Sequence, residues 1–439
     1  MSSPTTDSSV SPTSGPHAGS ARRGLAGSIR LGRDIARRPF AGHWPYARTG
    51  LLLGLLNIAL FVSLGSAWGV TTEFTRIGGQ LLAIAGVDTN DWLYFSKEAG
   101  IGPIRGDPWT RASGLIVLGM FAGALTGALV SGDFRLRVPR QRRRLVQGFV
   151  GGVLGGFGAR LALGCNLGAF FSAIPQFSLH GWLFMAGLFG GTWLGSRIVL
   201  HPTLAGAPEL LAAPPPARPS RRLLPGWARP AIGAFVGTIA LVGGLGLTLA
   251  GETRLGLALL FGTGFGLAIE RGRICFTSAF REFWITRQTH LARAIAAGMI
   301  VASIGFAAAI ASGVTPKAEP AGLGALLGGG IFGVGIVLAG GCETGWMYRT
   351  CQGYVQLMLA GVGTIVGTVL LAYAWGAWGL YGALVRPFPE VDLSGVLGLP
   401  LALLVTLAGL AAWYVASLRR EPRPIVPPVA ALATLTKGD

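Results

Sequence analysis

The chain has 439 residues, of which 51% are hydrophobic and only 12% charged, and its mean hydropathy is +0.57. An average soluble domain is about 25% charged, so this composition excludes a soluble enzyme and a wholly disordered protein. Four cysteines are too few for a secreted disulfide scaffold. The 71 glycines follow no Gly-X-Y period, which excludes collagen, and glycine within apolar runs is typical of closely packed membrane helices. The composition therefore predicts an all-α polytopic membrane protein.

Residues 1–49 are predicted to form a disordered basic segment, because the first twenty are rich in Ser, Thr and Pro. No signal peptide is expected, since the first long apolar stretch starts near Leu51. A spanning helix needs about 20 mostly apolar residues. About ten membrane segments are predicted, at 50–70, 112–131, 145–163, 179–199, 230–250, 255–270, 294–312, 321–341, 355–375 and 396–416. Segments 145–163 and 255–270 are short and glycine-rich, which indicates broken or half helices.

The net charge of +18 is carried by alternate segments of the chain. The basic segments are 1–49, 133–144, a Pro/Arg-rich linker at 201–229, 270–293 and a tail at 418–439. The segments between them are neutral or slightly acidic. This is the positive-inside pattern, and it predicts a multi-pass protein of the cell inner membrane with both termini in the cytoplasm. Because the basic residues flank membrane segments instead of forming one face, the predicted partner is the lipid bilayer and not nucleic acid.

Two stretches of the chain resemble each other. Residues 145–166, LVQGFVGGVLGGFGARLALGCN, and 322–343, GLGALLGGGIFGVGIVLAGGCE, both end in Gly-Cys followed by a polar residue. The neighbouring segments keep nearly the same offset, which predicts two membrane repeats at 50–200 and 230–417. The charge pattern directs the two Gly-Cys segments oppositely, as in inverted-topology transporters. In the first repeat, a non-crossing element near 73–95 is expected in place of the crossing at 255–270.

Cys165, Cys275 and Cys342 each follow an apolar glycine-rich helix and precede a short second helix, predicted at 166–174, 276–286 and 343–350. A helix broken at membrane depth frees backbone N–H groups, which form an anion site. The three cysteines are therefore candidates for the pathway of a small sulfur anion, the alternative being that they simply pack in the interior. Cys351 lacks the Gly-Cys setting and is predicted to pack or to lie at the surface. No metal site is expected, since there is no Cys-x-x-Cys and no nearby histidine, and no cofactor is predicted.

Four further residues are candidates for substrate binding because they flank these cysteines: Asn166, Arg160, Arg273 and Glu343. Arg160 lies inside a predicted span, where an arginine either serves an anion or packs and snorkels. Arg273, with Glu270 and Arg271, forms either a gate near Cys275 or a charged loop at the cytoplasmic surface. Glu343 is expected to repel an anion unless it is protonated or paired, with Arg349 as the candidate partner.

Three blocks, ARLALGCNLGAFFSAIPQFSLHGW (159–182), IERGRICFTSAFREFWITRQTH (269–290) and VLAGGCETGWMYR (337–349), closely resemble the YeeE/YedE family of bacterial inner-membrane proteins. The similarity covers roughly residues 50–415 and points to the branch associated with selenium metabolism. It implies an hourglass-shaped helical fold of two related halves and uptake of thiosulfate past cysteines that correspond to Cys165, Cys275 and Cys342. It also implies a small sulfur-carrier partner of the TusA type, and it leaves thiosulfate, a selenium species or another sulfur compound open as the cargo.

The predicted function is an inner-membrane permease, not an enzyme, that imports thiosulfate or a related small sulfur or selenium oxyanion. The sequence has no G-x-x-x-x-G-K-[ST] loop for ATP. One alternative is a membrane sulfurtransferase, in which a persulfide on Cys275, near Arg271 and Arg273, passes sulfur to a cytoplasmic carrier. Another is a membrane anchor for a redox or carrier subunit, which gives no reason for matched cysteines in two repeats.

Overall fold

The computed structural model describes residues 42–89, 91–201 and 225–421. Most of the predicted basic segment, the centre of the linker and the end of the tail lie outside these ranges. The first helix within the described ranges begins at Tyr46, inside the predicted segment 1–49. Residues from His43 onward belong to one compact unit, and everything below concerns that unit.

The regular elements of the described residues are helices, as the composition predicts. The elements are α1 Tyr46–Leu64, α2 Thr71–Ile84, α3 Ala112–Val130, α4 Arg142–Leu161, a π-helix π1 Asn166–Ser172, α5 Leu179–Leu200, α6 Ala228–Leu249, α7 Thr253–Gly272, α8 Phe276–Ile285, α9 His290–Ala311, α10 Leu323–Ala339, α11 Glu343–Cys351, α12 Val355–Ala377, α13 Leu380–Leu384, α14 Leu393–Leu397 and α15 Leu399–Arg420. Single 3₁₀ turns lie at Leu93–Phe95 and Pro108–Thr110.

Nine helical segments in this part of the chain are long and apolar enough to cross a membrane, and the number is ten if α4 and π1, bent by 49°, form one broken span. This confirms the predicted polytopic fold of about ten segments. Helix α2 has 14 residues and is about 21 Å long. It is therefore shorter than the hydrocarbon core of about 30 Å, in agreement with the non-crossing element expected near 73–95.

Glycines let α4 and α10 cross backbone against backbone at the centre of the molecule. A methyl group on Gly151 would overlap the backbone of Gly335, and one on Gly158 would overlap the backbone of Gly328. These two contacts run in opposite senses along the two helices, so α4 and α10 are antiparallel. Since Gly328 and Gly335 stand 177 residues after Gly151 and Gly158, the contacts are also reciprocal. An antiparallel, reciprocal contact between matching segments is the relation that inverted repeats produce.

The next helices extend the same relation. Helix α4 packs in parallel against α12, with Gly152 against Ala360. The matching helices α10 and α5 also pack in parallel, with Gly191 against the backbone of Gly330. The relative directions of all four helices agree with the alternation of charge along the sequence. In lipid, no hydrophobic driving force holds helices together. Small residues at these crossings let the helices approach closely, and the van der Waals packing that results stabilises their association.

Candidate functional site

The three candidate cysteines occupy equivalent places, at the N-caps of the short helices that follow chain breaks. Cys165 precedes π1, Cys275 precedes α8 and Cys342 precedes α11. All three side chains are buried, with exposed fractions of 1%, 0% and 0%. The first N–H groups of π1, α8 and α11, which have no partner within their own helices, therefore lie next to buried cysteines.

A residue in the left-handed conformation lies between each long helix and its cysteine. These residues are Leu163 with φ 55°, Arg273 with φ 49° and Gly340 with φ 81°. A left-handed residue turns the chain out of the helix, after which the cysteine is extended. Two of the three are not glycine, although the left-handed region strongly favours glycine.

Two cysteines that are 67 residues apart in sequence meet in space. The Cys275 Sγ and Cys342 Sγ atoms are 3.9 Å apart, and the Cys342 Sγ is 3.1 Å from Thr344 Oγ1. A methyl group on Gly345 would come within 2.7 Å of the Cys275 sulfur. Glycine at 345 therefore makes room for the sulfur pair.

The fourth cysteine has a different setting. The Cys351 thiol, at the end of α11, donates to the backbone carbonyl of Phe121 over 3.7 Å. Its side chain is buried against α3, which agrees with the predicted packing role.

Cys165 opens onto a cavity of about 640 Å³, named here the Arg160 vestibule. Its lining contains six basic side chains, from Arg76, Arg105, Arg111, Arg160, Arg254 and Lys317, and one acidic side chain, from Glu319. Five of these six basic residues lie in segments 71–111, 251–254 and 313–320. Acidic residues in the same segments bring their net charge close to zero, so the net charge does not reveal the basic residues, whereas the number of Lys and Arg does.

Neutral partners hold Arg160 in this vestibule. Its Nε donates to the Tyr94 hydroxyl and its Nη1 donates to Thr72 Oγ1 over 3.1 Å. No carboxylate within the described residues lies in ion-pair distance of Arg160, whereas Arg111 pairs with the buried Glu73. The positive charge of Arg160 therefore stays uncompensated by its immediate contacts, which supports the anion-binding interpretation over simple packing.

A second cavity of about 420 Å³, the Tyr348 vestibule, lies beyond the other two cysteines along their short helices. Ser278 of α8 and Tyr348 and Arg349 of α11 line it, together with Arg137 and the predicted Arg273. Three arginines, two acidic residues and three tyrosines surround this space, the acidic residues being Asp133 and Glu282 and the tyrosines Tyr46, Tyr348 and Tyr354.

The hypothesis that Glu270, Arg271 and Arg273 form a charged surface loop near Cys275 is wrong for two of these residues. Arg273 is exposed and lines the Tyr348 vestibule, but Glu270 and Arg271 are 0% and 1% exposed. They are not part of a surface loop. Arg271 bonds to Glu270 Oε1 at 2.8 Å and to Asp133 Oδ2 at 2.7 Å, and Gln352 also donates to Glu270. A charge of this kind is buried only when it is paired, and here the pairing joins α7 to the loop after α3.

Asn166 and Glu343 are equivalent residues, each directly after a cysteine and 177 positions apart. Both are buried, with exposed fractions of 0% and 1%. Neither side-chain polar atom of Asn166 has a hydrogen-bond partner in the described structure, nor does Glu343 Oε2. The expected pairing of Glu343 with Arg349 is wrong, because Arg349 donates instead to the Tyr348 hydroxyl and the Gly340 carbonyl.

Thr277, two residues after Cys275, also has a buried hydroxyl without a partner. A buried polar group without a hydrogen bond costs about 1–3 kcal/mol. Unpartnered polar atoms therefore follow each of the three cysteines within two residues. They are the groups that a polar ligand passing the cysteines would satisfy.

The sequence matches the pattern of the Sulphur transport family over residues 23–194 and 271–437. It is 44% identical over 375 residues to the probable transporter YedE of Escherichia coli strain K12, covering 83% of this chain and 89% of that protein. The identity to the protein of the same name from Salmonella typhimurium strain LT2 is also 44%, over 372 residues. A shorter stretch of 104 residues is 38% identical to the thiosulfate transporter TsuA of Escherichia coli, covering 23% of this chain and 30% of that protein.

Proposed function

Because the chain belongs to the Sulphur transport family, we propose that it imports thiosulfate or a related small sulfur or selenium oxyanion along a path of buried cysteines. It is a multi-pass membrane protein with a transport role and not an enzyme. The observation that carries the proposal is the placement of the cysteines. Cys165 opens onto a cavity rich in basic side chains, and the helices that begin after Cys275 and Cys342 lead to a second cavity lined by three arginines and two acidic residues.

The Arg160 vestibule is the proposed entrance. Five of its six basic side chains come from segments 71–111, 251–254 and 313–320, for which the charge pattern predicts a periplasmic location. Glu73 pairs with both Arg76 and Arg111, and Glu319 pairs with Lys317. The lining still has an excess of cations, with no ion pair for Arg105, Arg160 or Arg254 among the described residues, and this excess attracts a dianion and raises its local concentration. The Tyr348 vestibule, to which the basic segments 133–144 and 270–293 contribute Arg137 and Arg273, is the proposed cytoplasmic exit.

Between the two vestibules, the path offers several weak donors in place of one strong cation. The thiols, the backbone N–H groups at the starts of π1, α8 and α11, and the Asn166 amide can each donate to an oxyanion. Glu343 in its neutral form presents the same kind of donor and acceptor as Asn166. Several sites of moderate affinity favour conduction, because an ion that binds too tightly does not leave.

The charge of the substrate sets an energetic requirement. An anion entering a cell that is negative inside works against about 2.3 kcal/mol per charge for each 100 mV. Import of a dianion therefore requires coupling to another ion or rapid consumption inside. We propose that a TusA-type sulfur-carrier protein at the cytoplasmic face of the inner membrane helps to consume it.

The test is uptake of radiolabelled thiosulfate by proteoliposomes that contain the full chain, with sulfate, sulfite and selenite as competitors. We expect uptake above protein-free liposomes and weak competition by sulfate, which lacks the soft terminal sulfur. Stronger competition by selenite would assign the cargo to selenium chemistry. Uptake equal to that of protein-free liposomes for every sulfur and selenium anion would refute the proposal.

The sulfurtransferase alternative loses one of its two supporting cations, because Arg271 is engaged by Glu270 and Asp133. Mass spectrometry of the purified protein after exposure to thiosulfate separates the two functions. Transport predicts intact thiols, whereas group transfer predicts a persulfide on Cys275.

A further inference from the structure

We propose that Cys275 and Cys342 form a reactive dithiol that S–S-bonded sulfur oxyanions of the polythionate class oxidise to an internal disulfide, which closes the path. The blocking of transport rests on the proposed function. The dithiol chemistry needs only that a small anion reaches the two sulfur atoms, whether or not the protein carries that anion across the membrane.

The first step is geometric. The two Sγ atoms are 3.9 Å apart, already in van der Waals contact. A disulfide needs about 2.05 Å, so closure requires the sulfurs to approach by less than about 2 Å. Both cysteines precede short helices, and rotation about a single side-chain bond moves a sulfur on this scale.

The second step is selectivity among the four cysteines. Cys165 makes no sulfur–sulfur contact within the described residues, and the Cys351 thiol is directed at the Phe121 carbonyl. Cys275 and Cys342 are therefore the pair in position to close.

The third step is access for the oxidant. A polythionate carries the same terminal sulfonate groups as thiosulfate, so the cationic lining that attracts one attracts the other. The Arg160 vestibule of about 640 Å³ reaches Cys165, and the Tyr348 vestibule of about 420 Å³ reaches Ser278 and Tyr348 on the helices that follow Cys275 and Cys342. Neither lining includes the two sulfur atoms, so the oxidant has to enter the path between the vestibules to reach them. Polythionates differ from thiosulfate in having internal S–S bonds, which a thiolate cleaves.

The reaction with tetrathionate balances in two exchanges. One cysteine thiolate attacks an inner sulfur of tetrathionate, and the central S–S bond breaks, releasing one thiosulfate with the bonding electron pair. The second thiolate then attacks the cysteine sulfur of this adduct, forming the Cys275–Cys342 bond and releasing a second thiosulfate. The two thiol protons pass to water. The dithiol loses two electrons, and tetrathionate gains them to become two thiosulfate ions.

The experiment treats the purified full chain with tetrathionate, alkylates the remaining thiols after denaturation and maps the peptides by mass spectrometry. We expect a Cys275–Cys342 cross-link with two thiosulfate ions released for each cross-link formed, and alkylation of Cys351. Cys165 opens onto the Arg160 vestibule but has no second thiol in contact among the described residues, so it can take a thiosulfate adduct but cannot form a cross-link. Cys351→Ser should form the same cross-link. Cys342→Ser should stop at the first exchange and retain a thiosulfate adduct on Cys275.

A pair of glycine variants tests the geometry without changing a cysteine. A methyl group at position 345 would press on the Cys275 sulfur, so Gly345→Ala should slow cross-linking severalfold. At the equivalent position in the first repeat, a methyl group on Gly168 meets nothing closer than the Trp68 carbonyl at 3.9 Å. Gly168→Ala should therefore cross-link at the normal rate.

Proteoliposomes supply the functional measurement. Tetrathionate should abolish thiosulfate uptake, and dithiothreitol should restore it. Four free thiols after tetrathionate, or cross-links that involve Cys165 equally, would overturn the dithiol. A complete cross-link with unchanged uptake would overturn the closure of the path. A cross-link in a protein that transports no sulfur anion even when reduced would overturn the proposed function and the closure, and would leave the dithiol standing.

Discussion

Gly158 of α4 lies so close to Gly328 of α10 that a methyl group on either residue would meet the backbone of the other helix. The contact is made at the antiparallel crossing that relates the two halves of the molecule. It fixes the distance between the helices that lead to Cys165 and Cys342. The path between the vestibules therefore depends on glycines that never face it.

Gly328→Ala tests this dependence. The added methyl group would lie 2.6 Å from the Ala162 nitrogen, which belongs to a backbone that cannot rotate away. We expect a loss of about 1–3 kcal/mol of unfolding free energy, measured by thermal unfolding in detergent. The control is Gly190→Ala, because nothing lies within 4 Å of its added methyl group. Equal stability of the two variants would contradict the close crossing.

Asp133→Asn tests the ion pairs that Arg271, near the C-terminal end of α7, forms with Asp133 and Glu270. Burial works against ionisation of Asp133, but the hydrogen bond and charge of Arg271 outweigh it and hold the pKa of this carboxyl below its usual 3.8. A lowered pKa in the folded state stabilises the protein above pH 3.8, and that stabilisation is lost as pH falls through the folded value. We expect Asp133→Asn to be less stable than the native chain by about 1 kcal/mol at pH 7.

The difference between Asp133→Asn and the native chain should shrink as the pH falls below 3.8. Thermal unfolding from pH 7 to pH 3 measures it. Asp91→Asn is the control, since Asp91 is exposed and forms no ion pair among the described residues. A difference that is constant over this range would remove the Asp133–Arg271 pair as its cause.

Alanine at each pathway cysteine tests the proposed route. Cys165→Ala, Cys275→Ala and Cys342→Ala should each strongly reduce thiosulfate uptake, while Cys351→Ala should transport normally. Removing a buried sulfur also leaves a small cavity, which costs about 1–2 kcal/mol, so expression and unfolding are measured beside uptake. Near-normal uptake in all three pathway variants would end the hypothesis.

Asn166 and Glu343 should respond differently to substitution because their proposed roles are those of neutral donors. Asn166→Leu removes a donor and should lower uptake about tenfold. Glu343→Gln keeps a neutral donor and should retain most of the uptake. Thr126→Val is the control, since it removes a buried, unpartnered hydroxyl outside both vestibules. If Glu343→Gln proves as inactive as Asn166→Leu, the neutral-donor role of Glu343 is wrong.

Cysteine labelling tests the orientation in the membrane. Asp91 and Arg142 are both exposed in the structure, so a cysteine at either position is open to reagent on its own side of the membrane. The charge pattern predicts that an impermeant maleimide added to intact cells labels Asp91→Cys and not Arg142→Cys. Labelling with the opposite preference would reverse the assignment of entrance and exit.

The sequence alone determined the helical membrane fold. A bilayer accepts segments of about 20 apolar residues as helices, and the hydropathy and length of such segments are local properties of the sequence. It also determined the three helix breaks, since each is marked by a glycine-rich run followed by a cysteine. The repeat was visible for a similar reason, as the offset of 177 between Cys165 and Cys342 is a property of the chain.

Tertiary structure decided which of these residues meet. Several contacts join segments that are distant in sequence. Cys275 meets Cys342, and the buried Arg271 pairs with Asp133. One vestibule is lined by Arg76, Arg111 and Arg160. Their spacing in sequence carries no information about such contacts. These contacts arise because helices with glycine at their crossings pack closely against each other. Close packing fixes where the helix ends lie, and therefore also where the charged residues beyond those ends lie.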